Sequence, residues 1–375
     1  MSKSKKIAFL TGTRADFGKI KSLLQILQNN ESFEPTIFVT GMHMMQEYGY
    51  TLIEVERSGF KNISTFENHT DESTMDLTLA KTIEGFSAYV KKINPDIIVV
   101  HGDRVEALAG AIVGSLNNIL VAHIEGGELS GTIDELIRHS VSKLSHIHFV
   151  SNSDAQKRLI QMGELPESIY TIGSPDIDIM FSDDLPTISE AKSYYEIPFE
   201  EYAVVMFHPV TTEANFMENY SENFVNALVK SNKKYVVIYP NNDFGNKHII
   251  NSYKRLVNNK NFKIFPSIRF EYFLVLLKNA NFIIGNSSAG IREAPYYGVP
   301  TINIGTRQEN RALHAHINNV SYHSNDILEA INTQTEKVTI ETKSFGKGNS
   351  AKQFLQSLNT DSFWNLNHQK QFRDV

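Results

Sequence analysis

The stretch "DIIVVHGDRVEALAGAIVGSLNNILVAHIEGG" (96–127) decides the fold. "DIIVV" and "NILVAHI" are short runs of β-branched and aliphatic residues, of the kind that fills strands buried on both faces. Between them "VEALAGAIVGSL" has the length and composition of a crossover helix. Strand, helix and strand in this order make a parallel βαβ unit. Polar residues gather where the runs stop: Gly102, Asp103 and Arg104 after the first, Glu125, Gly126 and Gly127 after the second.

The same plan extends in both directions. "KIAFL" (6–10), the helix-like "FGKIKSLLQILQ" and "TIFVTG" (36–41) come first. The amphipathic "MDLTLAKTIEGFSAYVKKI" (75–93) leads into the opening stretch, and "IHFV" (147–150) follows it. A second set runs through "YAVVMF" (202–207), "YVVIYP" (235–240), "FKIF" (262–265), "NFIIG" (281–285) and "TINIG" (301–305). Between the sets, "GSPDIDIMFSDDLPTISEA" (173–191) is rich in Pro, Ser and Asp and is predicted as a linker. The prediction is an α/β fold of two doubly wound, Rossmann-like domains with a cleft between them: 1–175, 176–350, and a C-terminal helix (351–358) and tail over 351–375 with scope to pack back on the first domain. A length of 375 residues suits two such domains.

Composition narrows the function. Hydrophobic content of 41% and charged content of 21% are those of a globular protein. With 36 basic and 42 acidic residues, net charge −6, and no basic block, neither nucleic acid nor an anionic membrane is expected as a partner. The absence of cysteine excludes disulfides, thiolate nucleophiles and cysteine-bound zinc. No His/Asp cluster has ligand spacing, so no metal is expected. The apolar run in "MSKSKKIAFLTG" is too short for a signal peptide, and no run spans a bilayer. A cytoplasmic location is expected.

In open α/β sheets ligands sit beyond the carboxyl ends of strands, so the strand-end residues are the candidates. Glu125 directly follows a buried run, where packing gives no reason for a carboxylate. Thr132 and Glu135 form a T-x-x-E capping box for a helix whose buried face is predicted as Ile133, Leu136, Ile137, Val141 and Leu144. Glu135 therefore reads as a cap. Asp134 is balanced between pairing with Arg138, favouring the helix start, and a functional role. Glu128 is ambiguous. Asp103 reads either as an N-cap or, if the two strands are neighbours, as the partner of Glu125 in acid–base chemistry. "TGTRADFGK" carries Arg14, Asp16 and Lys19 on a Gly turn without the G-x-G-x-x-G of a nicotinamide site; its helix-start amides and cations suit an anion, or simply form a basic surface. His208 follows "VVMF" and precedes Pro209. In "GNSSAGIREAPYYGVPTINIGTRQ", Ser287 and Ser288 cap a helix start or cradle a phosphate, and Gly290 permits close approach of a ligand. Pro295 keeps that helix short, Glu293 on it suits a ribose diol, and Arg307 suits a diphosphate.

Taken in order, "TGTRADFGK", "HGDR", "HIEGGELSGTIDELIRH", "FHPVTT", "YPNND", "GNSSAGIREA" and "GTRQ" resemble the hydrolysing UDP-N-acetylglucosamine 2-epimerases, from about residue 5 to 345. These enzymes make N-acetylmannosamine for sialic acid synthesis in encapsulated bacteria and in the epimerase half of an animal bifunctional enzyme. The resemblance implies the GT-B arrangement of two Rossmann-like domains, a UDP-sugar substrate, UDP as product, no cofactor and a homo-oligomer (dimer or tetramer). It implies catalytic roles for Asp103, Glu125, Asp134 and His208. It implies nucleotide or sugar contacts for Arg14, Lys19, Arg104, Asn241, Ser287, Ser288, Glu293 and Arg307. Non-hydrolysing relatives carry H-R-x-E-N where this chain has "HPVTTEA", which favours the hydrolysing branch. Rivals are the same reaction on UDP-2,4-diacetamido-2,4,6-trideoxyhexose for legionaminic-type acids, a GT-B glycosyltransferase, and a UDP-sugar sensor without catalysis.

Overall fold

The structure, a computed structural model, describes residues 4–69, 74–130, 132–309, 316–334, 337 and 344–374. The chain forms two compact units: unit 1 is Met1–Glu128, Asp134–Ser182 and Lys343–Val375, and unit 2 is Leu129–Ile133 and Asp183–Thr342. Each is built on one all-parallel sheet.

The sheet of unit 1 contains β1 (Lys5–Thr11), β2 (Phe33–Val39), β3 (Ile63–Thr65), β4 (Ile97–His101), β5 (Leu120–Ile124), β6 (Ile147–Val150) and β7 (Ile169–Thr171), in the spatial order β3-β2-β1-β4-β5-β6-β7. Its central strands β4, β5 and β6 are buried at every position, which is what uninterrupted aliphatic runs require. The sheet of unit 2 contains β8 (Ala203–Met206), β9 (Tyr235–Ile238), β10 (Phe262–Phe265), β11 (Ile283–Gly285), β12 (Thr301–Ile304) and β13 (Ile317–Val320), ordered β10-β9-β8-β11-β12-β13. The ten expected strands all form. The strands β3, β7 and β13 carry no prediction, because each lies at a sheet edge. Their side chains are partly exposed, so "IST", "IYT" and "INNV" show no apolar run.

The stretch 173–191 is not a simple linker. Pro175–Met180 is a buried helix that packs on the helix Arg14–Gln28, and the two units divide later, between Ser182 and Asp183. Pro supplies its first turn and Asp178 accepts the backbone N–H groups of Ser350 (2.8 Å) and Ala351 (2.7 Å), capping the helix Ser350–Leu358. That helix returns to unit 1, where Phe354, Leu358 and Phe363 enter the core beside Phe149 and Ile172.

The last residues are tied to the same unit by charge. Glu164 is buried; Lys143 Nζ lies 2.9 Å from Oε1, His148 Nε2 lies 2.9 Å from Oε2, and Lys370 Nζ reaches Oε2 at 2.5 Å. Burial pushes the Glu164 carboxyl upward, but the hydrogen bond and charge of His148 and the charge of Lys370 outweigh it and hold it at about 2. The folded carboxyl is thus more acidic than the unfolded one. Its stabilisation is fully present above the unfolded value of 4.5 and is lost as pH falls toward about 2. Glu164→Gln should cost on the order of 2–3 kcal/mol at neutral pH, and the difference from the parent should shrink below pH 4.5. Urea unfolding at pH 7 and pH 3 measures it; a pH-independent difference would reject the linkage.

Candidate functional site

Both sheets reverse their strand order beside their first strand, at β1/β4 in unit 1 and β8/β11 in unit 2. Loops leaving the carboxyl ends of such strands diverge and open a crevice. The residues singled out from the sequence cluster there. Gly12–Asp16 follows β1, Gly102–Arg104 follows β4, His208 lies just beyond β8, and Asn286–Ser288 follows β11.

In unit 1, β4 and β5 are neighbours in parallel register, His101 opposite Ile124, so Asp103 and Glu125 leave adjacent strands at the same edge. Glu125 has φ +66°, a left-handed conformation that costs a residue with a Cβ about 1 kcal/mol or more. It keeps the ladder going through its N–H, which donates to the Phe149 carbonyl at 2.9 Å, while the unusual φ turns the side chain inward. The carboxylate is only 4% exposed. Ser174 Oγ donates to its Oε1 at 2.5 Å, His101 Nε2 lies at 3.5 Å and Lys19 Nζ at 3.8 Å. Lys19 also lies 3.5 Å from the fully buried Asp176.

Asp103 is not an N-cap. That position belongs to Arg104, whose Nε donates to the buried Glu106 at 3.3 Å. The Asp103 carboxylate instead accepts from Arg138 Nη2. Arg138 is buried on the helix Ile133–Leu144, and its Nη1 also donates to the Glu128 carbonyl at 3.3 Å. Burial works against its charge, but Asp103, Glu128, Glu125 and Asp134 together raise its pKa. This guanidinium therefore ties the acids of two loops together. It also corrects the predicted face of its helix. The buried positions are Ile137, Arg138, Val141 and Ser142, whereas Leu136 is 61% exposed. Asp134 and Glu135 occupy the first turn of that helix, and Glu135 lies 3.5 Å from His139 one turn on. Gly131, within the same motif, lies outside the described residues. Glu128 is buried and accepts from Ser151 Oγ at 2.7 Å, a structural role. His123 is structural too: burial pushes its ring down to about 3, and it bonds the Gly102 carbonyl (2.8 Å) and Ser142 Oγ (3.0 Å).

The turn after β1 differs from the predicted anion cradle. Its amides are used internally. Asp16 accepts from Gly12 N (3.0 Å) and Thr13 N (3.1 Å), and Thr13 caps the helix Arg14–Gln28 in a capping box with Asp16. Arg14 pairs with Glu54 at 2.5 Å.

In unit 2 the two strand ends at the reversal are locked together. The Asn286 carboxamide accepts from His208 N (2.6 Å) and donates to the His208 carbonyl (2.8 Å). His208 Nδ1 accepts the Asn241 backbone N–H at 3.0 Å, and the Asn241 carboxamide donates to Asp243. An imidazole that accepts at Nδ1 is neutral and carries its proton on Nε2. Beyond β11, Ser287 caps a 3₁₀ turn (Ser288–Gly290), accepting from Ala289 N at 3.3 Å, and a four-residue helix (Glu293–Tyr296) follows. The helix start expected at Ser287 is thus a tighter, shorter turn. Glu293, on the later helix, is buried. Arg307 Nη1 and Gln308 Nε2 donate to the Asn286 carbonyl at 3.3 and 2.8 Å, which brings "GTRQ" to "GNSS". Glu213 of "HPVTTEA" holds the same loop, accepting from Thr306 Oγ1 (2.7 Å) and Tyr322 OH (2.9 Å). Gly290 has a packing reason of its own: a Cβ there would lie 2.6 Å from Thr301 Cγ2, and Thr301 Oγ1 donates to the Gly290 carbonyl at 2.7 Å.

Sequence reading missed Ser174, Asp176, His101 and Gln308, and it saw Arg138 only as a partner for Asp134, not for Asp103. Ser174 and Asp176 fell inside the supposed linker; the signal was "GSPD", a helix start with Pro at its first turn. Among the described residues no group of three or more His, Asp or Glu side chains is placed to hold a metal ion, and no helix is long and apolar enough to cross a membrane.

A family model described as UDP-N-acetylglucosamine 2-epimerase matches residues 25–359. The chain is 48% identical over 375 residues to a UDP-N-acetylglucosamine 2-epimerase of Neisseria meningitidis serogroup B, covering 99% of both chains. It is 31% identical to a UDP-N,N'-diacetylbacillosamine 2-epimerase (hydrolyzing) of Legionella pneumophila, covering 95% of this chain and 96% of the relative. Among solved structures it resembles UDP-GlcNAc 2-epimerase of Methanocaldococcus jannaschii, crystallised with UDP-GlcNAc and UDP, with TM-score 0.80 and 22% identity over 94% of this chain and 99% of the other. That likeness establishes the α/β fold with two parallel sheets.

The contact at Gly290 gives a direct check. Gly290→Ala should lower the melting temperature by several degrees, and adding Thr301→Ser, which removes Cγ2 and keeps Oγ1, should restore most of the loss. Thermal unfolding of both variants reads it; no restoration would mean that Thr301 is not the obstacle.

Proposed function

Because the chain belongs to the UDP-N-acetylglucosamine 2-epimerase family, we propose that it is a hydrolysing member, converting UDP-N-acetylglucosamine and water to N-acetylmannosamine and UDP for sialic acid synthesis. The stretch "HPVTTEA" (208–214) carries this assignment: it lacks the basic H-R-x-E-N pattern of the non-hydrolysing relatives. The Legionella relative, named as hydrolyzing, supports the same branch.

The chemistry explains why several acids are needed. The C2 hydrogen has no neighbouring carbonyl to acidify it, so its removal becomes feasible only as UDP departs. The C1–O bond to the diphosphate breaks, C2 loses its proton to a base, and a glycal forms. Water then adds across the double bond, hydroxyl to C1 and proton to the opposite face of C2. Positive charge at C1 is stabilised by carboxylates, for which Asp103, Glu125 and Asp134 are the candidates. Negative charge on the diphosphate is met by Arg307 and the Ser287–Ser288 turn, with Arg14, Lys19, Arg104, Asn241 and Glu293 as further contacts to nucleotide or sugar. His208, with its proton on Nε2 and Nδ1 already accepting, suits a hydrogen bond to the departing diphosphate and not removal of the C2 proton; that base is assigned to the carboxylates.

Incubation with UDP-N-acetylglucosamine, without any acceptor, should release UDP and N-acetylmannosamine. Release of N-acetylglucosamine would indicate plain hydrolysis, UDP-N-acetylmannosamine the non-hydrolysing branch, and no release a transferase or a sensor. UDP-N,N'-diacetylbacillosamine is the second substrate to offer, given the Legionella relative, and is expected to be the poorer one. Glu125→Gln should reduce kcat by about a hundredfold or more while UDP affinity stays within about twofold. Arg307→Ala should weaken UDP binding about tenfold or more by calorimetry; unchanged affinity would remove Arg307 from the diphosphate.

A further inference from the structure

We propose that Ser174 is a positioning residue for Glu125, set in place by the chain that re-enters unit 1 after residue 343. The catalytic part of this inference rests on the function proposed above.

Ser174 occupies the N-cap position of the helix Pro175–Met180, directly before the proline. A serine there ordinarily turns its hydroxyl back onto the helix amides and stabilises it by about 1 kcal/mol. Ser174 makes no such cap bond. Its Oγ donates to Glu125 Oε1 at 2.5 Å. Ser174 is fully buried and Glu125 is 4% exposed, so the bond is shielded from water. Charged and titratable groups also face this carboxylate from other elements: Lys19 at 3.8 Å from the helix Arg14–Gln28, His101 at 3.5 Å from β4, and Arg138, within electrostatic reach, from the helix Ile133–Leu144. Asp176 competes for Lys19 at 3.5 Å. The hydroxyl is nearer than Lys19 or His101, and it comes from the same chain segment as Asp176.

What holds Ser174 is backbone. Its N–H donates to the Phe345 carbonyl at 2.6 Å. Gly173 (φ +82°) and Gly346 (φ +114°) face one another at this crossing. A Cβ on Gly346 would come within 2.8 Å of the Gly173 Cα, and one on Gly173 within 3.0 Å of the Gly346 Cα. The two segments meet this closely only because neither residue has a side chain. Upstream, Asn152 Nδ2 donates to the Ser344 carbonyl at 2.9 Å, and downstream Asp178 caps the helix Ser350–Leu358, so the returning chain is fixed on both sides of the contact. The position of the Glu125 carboxylate is therefore written partly in residues 344–351, far from it in sequence.

The test uses Ser174→Ala and Ser174→Cys, whose thiol is a weaker donor, in the full chain. In protein with ¹³C-labelled glutamate, the Glu125 signal is identified by its loss in Glu125→Gln and titrated. Removing a donor from a carboxylate disfavours its charged form, so the Glu125 midpoint should rise in Ser174→Ala and less in Ser174→Cys. With UDP-N-acetylglucosamine, kcat should fall about tenfold to a hundredfold in Ser174→Ala. KM should stay within about twofold, and no further loss should appear when Ser174→Ala is added to Glu125→Gln. An unmoved midpoint, or an equal loss in both backgrounds, would overturn the proposal. A parent protein without turnover would overturn the functional assignment instead, and the titration would still decide whether Ser174 governs Glu125.

Discussion

A carboxylate buried at the end of β5 organises unit 1. Almost out of water, the Glu125 carboxyl is tolerable only with positive charge and hydrogen-bond donors brought to it. They come from distant parts of the chain: Lys19 from the first helix, His101 from β4, Ser174 from the helix start that leads out of β7. Arg138 balances the neighbouring Asp103 in the same way. Each partner needs its own element in register, so the parallel strand order of the sheet and the chemistry of its edge are one constraint.

Unit 2 repeats the topology with a different edge. Alongside the acids Glu213 and Glu293, unit 2 places the His208–Asn286 lock, the serine turn, Arg307 and Gln308. The proposed function assigns the carboxylates of unit 1 to the sugar and these groups of unit 2 to the diphosphate. A reaction that separates a cationic sugar carbon from an anionic leaving group needs both kinds.

Much of this was legible in the sequence. The central strands announced themselves as aliphatic runs because burial on both faces forbids polar alternation. The edge strands β3, β7 and β13 did not, since partial exposure removes the pattern. Glu125 stood out as a carboxylate with no packing explanation. Its partner Ser174 stayed hidden, because a Ser-Pro dipeptide reads as a turn and nothing local signals a bond to a residue 49 positions away. Glycines were ambiguous for a related reason: the missing Cβ of Gly290 has a packing explanation in Thr301, a neighbour on the next strand. Composition can show that a backbone must come close to something, but only the fold shows to what.

The central claim is that strand-end acids exchange the C2 proton of the sugar as UDP leaves. Running the reaction in deuterium oxide and examining the released sugar by NMR tests it most directly. One deuterium at C2 of N-acetylmannosamine, appearing together with UDP, is the expected result. Released sugar that retains its original C2 hydrogen would contradict the account.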